Sequence, residues 1–187
     1  MPVIEIDAQD AVFDCAPGDT LLRAGLRAGL GMPYECGVGA CGCCRCEVIE
    51  GEVADQWPEA PGLSDRDRRK GRVLACQTRL LGDARIRLRL DPRIEPVVRP
   101  ARHTARLAAV NDITHDIREF VFRSDAPADF LPGQYATIEV PDTGLQRAYS
   151  FSSGVSNGQV SFLIRNVPGG LMSGYLKDRA RAGDAIT

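Results

Sequence analysis

The chain has 187 residues, of which 44% are hydrophobic and 26% are charged, and its formal net charge is −2. That length suits one large or two small globular domains. The charge gives no basic field to attract nucleic acid or an anionic membrane, and no run of about 18 apolar residues could span a bilayer. Residues 1–7 lack the basic and apolar regions of a signal peptide, so we expect a cytoplasmic location.

The first hundred residues predict a small β-rich domain. Alternating apolar residues indicate strands over 3–6, 11–13, 45–52 and 85–90, while turn and capping residues indicate a helix over 20–28 and a charged helical turn over 63–70. Residues 91–100 hold three prolines and no apolar period, which is typical of a linker.

The second part of the chain predicts short strands over 104–110, 117–123, 135–140, 148–152 and 159–165, then a helix over 170–179. Pro, Gly and Asp turns between strands of this length indicate an antiparallel barrel. Residues 183–187 are typical of the beginning of another barrel strand.

Seven cysteines are present, and five of them crowd into the eleven residues from Cys36 to Cys46. Their odd number and the missing export signal argue against a disulfide framework. Cys36, Cys41 and Cys44 follow the spacing C-x4-C-x2-C, and Cys76 lies further on. This spacing is that of a plant-type [2Fe–2S] cluster, which needs four thiolates.

The loop that carries these cysteines is rich in glycine. Gly37, Gly39 and Gly42 would permit unusual φ angles and let backbone N–H groups turn toward the sulfurs. Zinc is the alternative, but zinc knuckles usually show two Cys-x2–4-Cys pairs, and the second pair is missing here. Cys43 does not fit the spacing and is excluded as a ligand. Cys15 and Cys46 are expected to be small buried residues.

A family resemblance rests on these segments. Residues 33–44 resemble the cluster loop of plant-type ferredoxins, and residues 51–53, 57–63 and 74–77 are similar to the ferredoxin domain of bacterial oxygenase reductases. Within that family the likeness is to the reductases of toluene, aromatic and alkene monooxygenases. The resemblance implies a β-grasp fold for residues 1–95 and a low-potential centre that passes one electron at a time.

The second part carries three motifs: Pro-Gly-Gln-Tyr at 132–135, Arg-Ala-Tyr-Ser at 147–150 and Gly-Leu-Met-Ser at 170–173. In this order they resemble the FAD-binding domain of the ferredoxin–NADP reductase family, whereas Arg-x-Tyr-Ser alone would also suit an ordinary barrel. The family implies an arginine on the flavin pyrophosphate, a tyrosine face beside the isoalloxazine or ribityl chain, and a serine near N5. A helix start would favour the diphosphate. The residues expected to bind the flavin are Arg147, Tyr149, Ser150, Gly170, Leu171, Met172 and Ser173. FMN in place of FAD stays open.

In this family a doubly wound domain that binds NAD(P)H follows, and no Gly-x-Gly-x-x-Gly loop follows a strand here. We therefore expect an α+β, mainly β chain: a β-grasp [2Fe–2S] ferredoxin domain (1–95), a linker (96–103) and an antiparallel six-stranded flavin-binding β-barrel (104–187). The barrel is expected to be incomplete at its C-terminus and truncated before the NAD(P)H domain.

The resemblance implies an oxidoreductase, the electron-transfer reductase component of a multicomponent oxygenase. Electrons would pass from NAD(P)H, the donor of the full-length parent, through FAD and the [2Fe–2S] cluster to a ferredoxin or directly to the oxygenase component. The protein would be a monomer without nucleic-acid or membrane partners. Two alternatives stay open: a reductase that serves a deoxysugar dehydratase, and a [2Fe–2S] electron carrier without a working flavin. The oxygenase, its substrate and the choice of NADH or NADPH are not encoded in these motifs.

Overall fold

The computed structural model describes residues 1–139, 146–154 and 158–187. The chain divides into two compact units, Met1–Pro100 and Ala101–Thr187. Each has its own hydrophobic core and its own sheets. No helix within the described ranges combines the length and the apolar character needed to cross a membrane.

The first unit is a mixed sheet with one main helix. Its elements are β1 (Val3–Ile6), β2 (Ala11–Asp14), α1 (Leu21–Arg27), β3 (Arg45–Glu50), β4 (Val53–Asp55), α2 (Asp65–Arg68), β5 (Arg72–Leu74), β6 (Thr78–Leu80) and β7 (Ala84–Arg87). Five strands form a sheet in the order β2-β1-β7-β3-β5, in which β1 and β7 run parallel and the other neighbours antiparallel. Strands β4 and β6 form a separate antiparallel pair.

Side-chain alternation places the core of this unit. In β1, Ile4 and Ile6 are buried while their neighbours are exposed, as a period of two requires. Helix α1 begins after Thr20, whose side-chain oxygen accepts the Arg23 N–H, an N-cap that satisfies one of the free donors of the first turn. The apolar face of α1 packs into the same core.

The second unit is built mainly of antiparallel strands. Its elements are β8 (Ala105–Asp112), β9 (Ile117–Ser124), β10 (Tyr135–Glu139), β11 (Gln146–Ser150), β12 (Gln159–Arg165), α3 (Leu171–Gly174), a π-helical turn (Tyr175–Arg179) and β13 (Ala185–Ile186). Four strands pair in the order β12-β9-β8-β13, and β10 pairs with β11. Aromatic residues fill the core, with Phe130 stacked on Phe151 at 3.7 Å between ring centroids.

Most predicted elements are present, and several bounds need correction. The strand predicted over 45–52 ends at Glu50, because Gly51 turns the chain with φ +98° and a separate strand follows. The strand predicted over 85–90 ends at Arg87. Residue 140, the end of the strand predicted over 135–140, lies outside the described residues.

The proline-rich segment is not uniformly extended, as a linker over 91–100 would be. Pro92–Ile94 forms a 3-10 turn that Asp91 caps by accepting the Arg93 N–H. The Asp91 N–H donates to the carbonyl of Gly31 at 2.9 Å, so this turn is attached to the first unit.

Candidate iron–sulfur and flavin sites

The cysteine loop joins α1 to β3 without regular secondary structure. Gly37, Gly39 and Gly42 have φ of +64°, +87° and +78°, so the predicted unusual backbone angles are confirmed. Side chains at these angles are strained, and glycine accepts them without cost. The loop can therefore curl tightly between its cysteines.

A second turn closes over this loop. A Cβ atom on Gly42 would lie 2.4 Å from the carbonyl oxygen of Gly62, and a Cβ on Gly62 would lie 2.6 Å from the Gly42 nitrogen. The Gly62 N–H donates to the carbonyl of Gly39 at 2.9 Å. The backbones at Gly42 and Gly62 are therefore so close that a side chain on either residue would require the backbone to move.

Backbone N–H groups of the loop point at sulfur. The Sγ of Cys36 accepts the N–H groups of Val38 and Cys41, each at 3.4 Å, and the Sγ of Cys41 accepts the N–H of Cys43 at 3.4 Å. Donors aimed at sulfur stabilise its negative charge, as in the outer shell of a metal–thiolate centre. The pKa of Cys41 is lowered to about 7, chiefly because Cys43 donates its backbone N–H.

Strand pairing brings the other two predicted ligands together. Cys44 precedes β3 and Cys76 follows β5, and the antiparallel register places Arg45 opposite Leu74. The Ala75 N–H then donates to the Cys44 carbonyl at 2.9 Å. Both thiols are buried, at 2% and 6% exposure.

The two buried thiols share a hydrogen bond. It lowers the pKa of Cys76 to about 7, with Cys44 as the donor and Gln77 and the Gly39 backbone assisting. The pKa of Cys44 is raised by the same bond and by burial. Gly39, which lies between Cys36 and Cys41, also contacts the Cys76 sulfur, so the pair Cys44 and Cys76 adjoins the cysteine loop. Thiolates are the species that ligate metal, so this donor set fits an iron–sulfur cluster.

The remaining cysteines lie outside the predicted ligand spacing. Cys15 and Cys46 are each 3% exposed, as predicted, and burial raises their pKa values to about 11 and about 12. Cys43 is exposed, and its hydrogen bond to Cys41 raises its pKa to about 11. The ligand atoms of Glu35, Cys41 and Cys43 lie within 4.8 Å of one another. These three exposed groups supply two thiols, whereas a cluster needs four.

In the second unit, two of the three predicted flavin motifs lie on paired strands. The register of β10 and β11 sets Tyr135 opposite Ser150 and Ile138 opposite Arg147. Arg147 is exposed, and its guanidinium donates to the Gln146 carbonyl at 2.9 Å. Tyr149 is half-buried, and burial raises its pKa. Strand β11 therefore carries an exposed cation, a half-buried ring and an exposed hydroxyl within four residues.

The third motif begins a short helix, α3, and its side chains point in different directions. The Ser173 hydroxyl is turned inward, where it accepts the Val167 N–H at 3.2 Å and contacts the Val167 carbonyl at 3.3 Å. Met172 packs in the core at 2% exposure, whereas Leu171 is 66% exposed. A Cβ on Gly170 would lie 2.5 Å from the Ser173 Oγ, so glycine keeps this turn tight.

Sequence reasoning gave no role to residues of the turn that covers the cluster loop. Trp57 lies beside Gly39, since a Cβ there would come within 3.2 Å of its ring, and Gly62 closes on Gly42. Gln77 reaches the Cys76 sulfur. The likeness of segments 57–63 and 74–77 to known ferredoxin domains was the available signal, but it carried no individual roles.

Comparison with known proteins identifies both units. A family described as the 2Fe-2S iron-sulfur cluster binding domain matches residues 4–81, and a family described as the oxidoreductase FAD-binding domain matches residues 104–187. The first match favours iron–sulfur over zinc, and the second favours FAD over FMN and argues against a carrier that lacks a flavin domain.

Curated relatives join the same two domains. The chain is 41% identical over 184 residues to the ferredoxin–NAD(P)(+) reductase CarAd of Metapseudomonas resinovorans, covering 96% of this chain and 55% of that protein. It is 41% identical over 175 residues to the ferredoxin–NAD(+) reductase component of the alkene monooxygenase system of Xanthobacter autotrophicus, covering 91% and 52%. The chain spans about half the length of these relatives.

A solved structure gives the same result. The ferredoxin reductase in carbazole 1,9a-dioxygenase superposes with a TM-score of 0.93 at 39% identity, over 99% of this chain and 56% of that one. The predicted combination of a 2Fe–2S domain with an FAD-binding domain is thereby confirmed.

Proposed function

We propose that this chain is the electron-transfer component of a multicomponent oxygenase, because its two units match a 2Fe–2S domain and an FAD-binding domain and its relatives include reductases of oxygenase systems. Its cofactors are a [2Fe–2S] cluster and FAD, which together convert the two electrons of NAD(P)H into single electrons. The observation that carries the proposal is the contact of Gly39, which lies between Cys36 and Cys41, with the buried pair Cys44 and Cys76, followed by an FAD-binding domain in the same chain.

We propose Cys36, Cys41, Cys44 and Cys76 as the iron ligands. Backbone N–H groups donate to the sulfurs of Cys36 and Cys41, which supports this because such donors stabilise a thiolate. Burial of Cys44 and Cys76 excludes water from one side of the site, while exposed Cys41 leaves the other side open to a protein partner.

For the flavin, we propose that Arg147 pairs with the pyrophosphate, Tyr149 packs on the ring or ribityl chain, and Ser150 bonds near N5. The exposure of Arg147 and Ser150 on one short strand supports these roles. Residues 170–173 would bind the diphosphate through backbone N–H groups. Buried Met172 and Ser173 would then contribute their backbone and hold the turn.

Finer features of the fold are also proposals. The mixed five-stranded sheet with α1 supports a β-grasp fold for residues 1–95, and sheets of four and two antiparallel strands support a six-stranded barrel for residues 104–187. The division of the chain at Pro100 supports a boundary within the linker 96–103.

We propose an oxygenase component or its ferredoxin as the partner, since the relatives named above serve oxygenase systems. We further propose a monomer in the cytoplasm that binds neither nucleic acid nor a membrane. All seven cysteines are free, as a reducing compartment favours, and the net charge of −2 offers no basic surface field. A reductase serving a deoxysugar dehydratase would use the same motifs, and only its partner would distinguish it.

Anaerobic photoreduction tests the proposed path. Illumination with EDTA drives electrons into bound flavin, and electron paramagnetic resonance then reports reduced cluster. We expect the wild-type chain, freed of unbound flavin, to show the cluster signal in the light. Arg147→Ala should lose flavin and the light-driven signal but still give the signal with dithionite. Arg165→Ala, at an exposed arginine on another strand, is the matched control. Equal flavin content in Arg147→Ala and wild type would refute the role of Arg147.

A further inference from the structure

Gln77 occupies a fixed position immediately after the proposed ligand Cys76. Its N–H donates to the Leu74 carbonyl at 2.8 Å, and its carbonyl accepts the Gln56 N–H at 2.7 Å. These bonds tie Gln77 to the last residue of β5 and to the residue that follows β4. The backbone therefore sets where its side chain begins.

The Gln77 side chain lies between the loop and the sulfur. Its Nε2 is 3.8 Å from the Cys76 Sγ, and its Cγ is the atom nearest to a Cβ built on Gly39, at 3.2 Å. A thiolate sulfur only accepts hydrogen bonds, so the N–H side of the amide must face it. Contact with Gly39 fixes the position of the Cγ from which the amide extends.

We propose that Gln77 is a positioning residue that raises the reduction potential of the [2Fe–2S] cluster by donating its side-chain N–H to the Cys76 sulfur. The proposal rests on ligation of the cluster by Cys76. Reduction adds negative charge that spreads onto the ligand sulfurs, so a donor stabilises the reduced state more than the oxidised state. At 6% exposure Cys76 lies where little water competes, which strengthens the effect.

Other donors to sulfur at this site include backbone groups of Gly39, Val38, Cys41 and Cys43. Every residue except proline supplies a backbone N–H, so these bonds do not depend on side-chain identity. Gln77 instead contributes through its side chain. A change of side chain at position 77 would therefore adjust the reduction potential of the cluster without changing a ligand.

The test is a redox titration of the whole chain, followed by the electron paramagnetic resonance signal of the cluster so that flavin does not interfere. Gln77→Met keeps the methylene that packs against Gly39 and removes the donor. Gln77→Glu has the same shape but replaces the donor by a negative acceptor. Gln56→Met makes the same change at an exposed neighbour and is the matched control.

We expect the ratio of reduced to oxidised cluster at a fixed potential to fall roughly 3- to 10-fold in Gln77→Met. A tenfold fall corresponds to about 59 mV for a one-electron centre. The ratio should fall further in Gln77→Glu, because this variant adds a negative charge beside the sulfur. In Gln56→Met the ratio should match that of the wild type. Iron and sulfide contents should stay at the wild-type level in all three.

Two results would overturn the proposal. An unchanged potential in both Gln77 variants with an intact cluster would remove the tuning role while leaving the ligand set standing. Loss of the cluster from both Gln77 variants, but not from Gln56→Met, would show that Gln77 has a structural role instead. If only one Gln77 variant loses the cluster, the reduction potential of the other tests the proposal. Absence of iron from the wild-type chain would instead contradict the proposed function.

Discussion

The meeting of Gly42 and Gly62 provides a direct test of how the cluster loop is built. Gly42 lies between Cys41 and Cys44, has φ +78°, and has no room for a Cβ because the Gly62 carbonyl oxygen would lie 2.4 Å away. Gly42→Ala therefore combines a conformational cost with a collision against backbone. We expect it to destabilise the first unit and to loosen the cluster.

The magnitude follows from two contributions. A left-handed backbone angle costs an L-residue about 1–2 kcal/mol. Relief of the collision requires a backbone shift, which in packed interiors costs about 1–3 kcal/mol. Gly42→Ala should thus lower the free energy of unfolding by roughly 2–5 kcal/mol.

Two other glycines separate the contributions. Gly71 has φ +68° and nothing within 4 Å of a built Cβ, so Gly71→Ala incurs the conformational cost alone. Gly62 lies outside the left-handed region but collides at 2.6 Å with the Gly42 nitrogen, so Gly62→Ala incurs the collision alone. Chemical denaturation and iron analysis should rank Gly42→Ala as the most damaging. Equal stability and iron content in Gly42→Ala and Gly71→Ala would refute the reasoning.

Two further changes test the units separately. Ser173→Ala removes a buried hydroxyl that accepts the Val167 N–H at 3.2 Å, so the second unit should lose about 1–3 kcal/mol in thermal unfolding; an unchanged midpoint would show that this bond contributes nothing. Asp67 has a pKa below its ordinary 3.8 because Ser64, Arg72 and Arg45 stabilise its carboxylate. A carboxyl group with a lowered folded-state pKa stabilises the protein above its unfolded-state pKa and loses that contribution in acid. Wild-type stability should therefore fall as the pH drops below about 4, and Asp67→Asn should be less stable at neutral pH with a shallower fall. Parallel pH profiles for the two proteins would contradict this.

Local patterns in the sequence were sufficient to predict many of the helices and strands. Alternation located the strand over 159–165 with the bounds that the structure has, and turn and capping residues located the start of α1 to within one residue. Both signals lie within the element that they predict. The cysteine spacing was likewise local and marked three ligand candidates on one loop.

What the sequence could not show depends on partners far along the chain. Strands β4, β5 and β6 have three residues each, too few for a period, and exist because of pairing with other strands. The contact between Cys44 and Cys76 follows from the register of β3 and β5. The Ser173 hydroxyl points inward because it bonds to Val167, and the spacing of residues in the sequence does not predict that contact.

The central claim is most directly tested by metal, sulfide and flavin analysis of the anaerobically purified chain, with an absorption spectrum. About two irons, two sulfides and one FAD per chain are expected. Cys36→Ser, Cys41→Ser, Cys44→Ser and Cys76→Ser should each lose iron, whereas Cys15→Ser, Cys43→Ser and Cys46→Ser should retain it. Zinc in place of iron, or full iron content in any of the first four variants, would contradict the account.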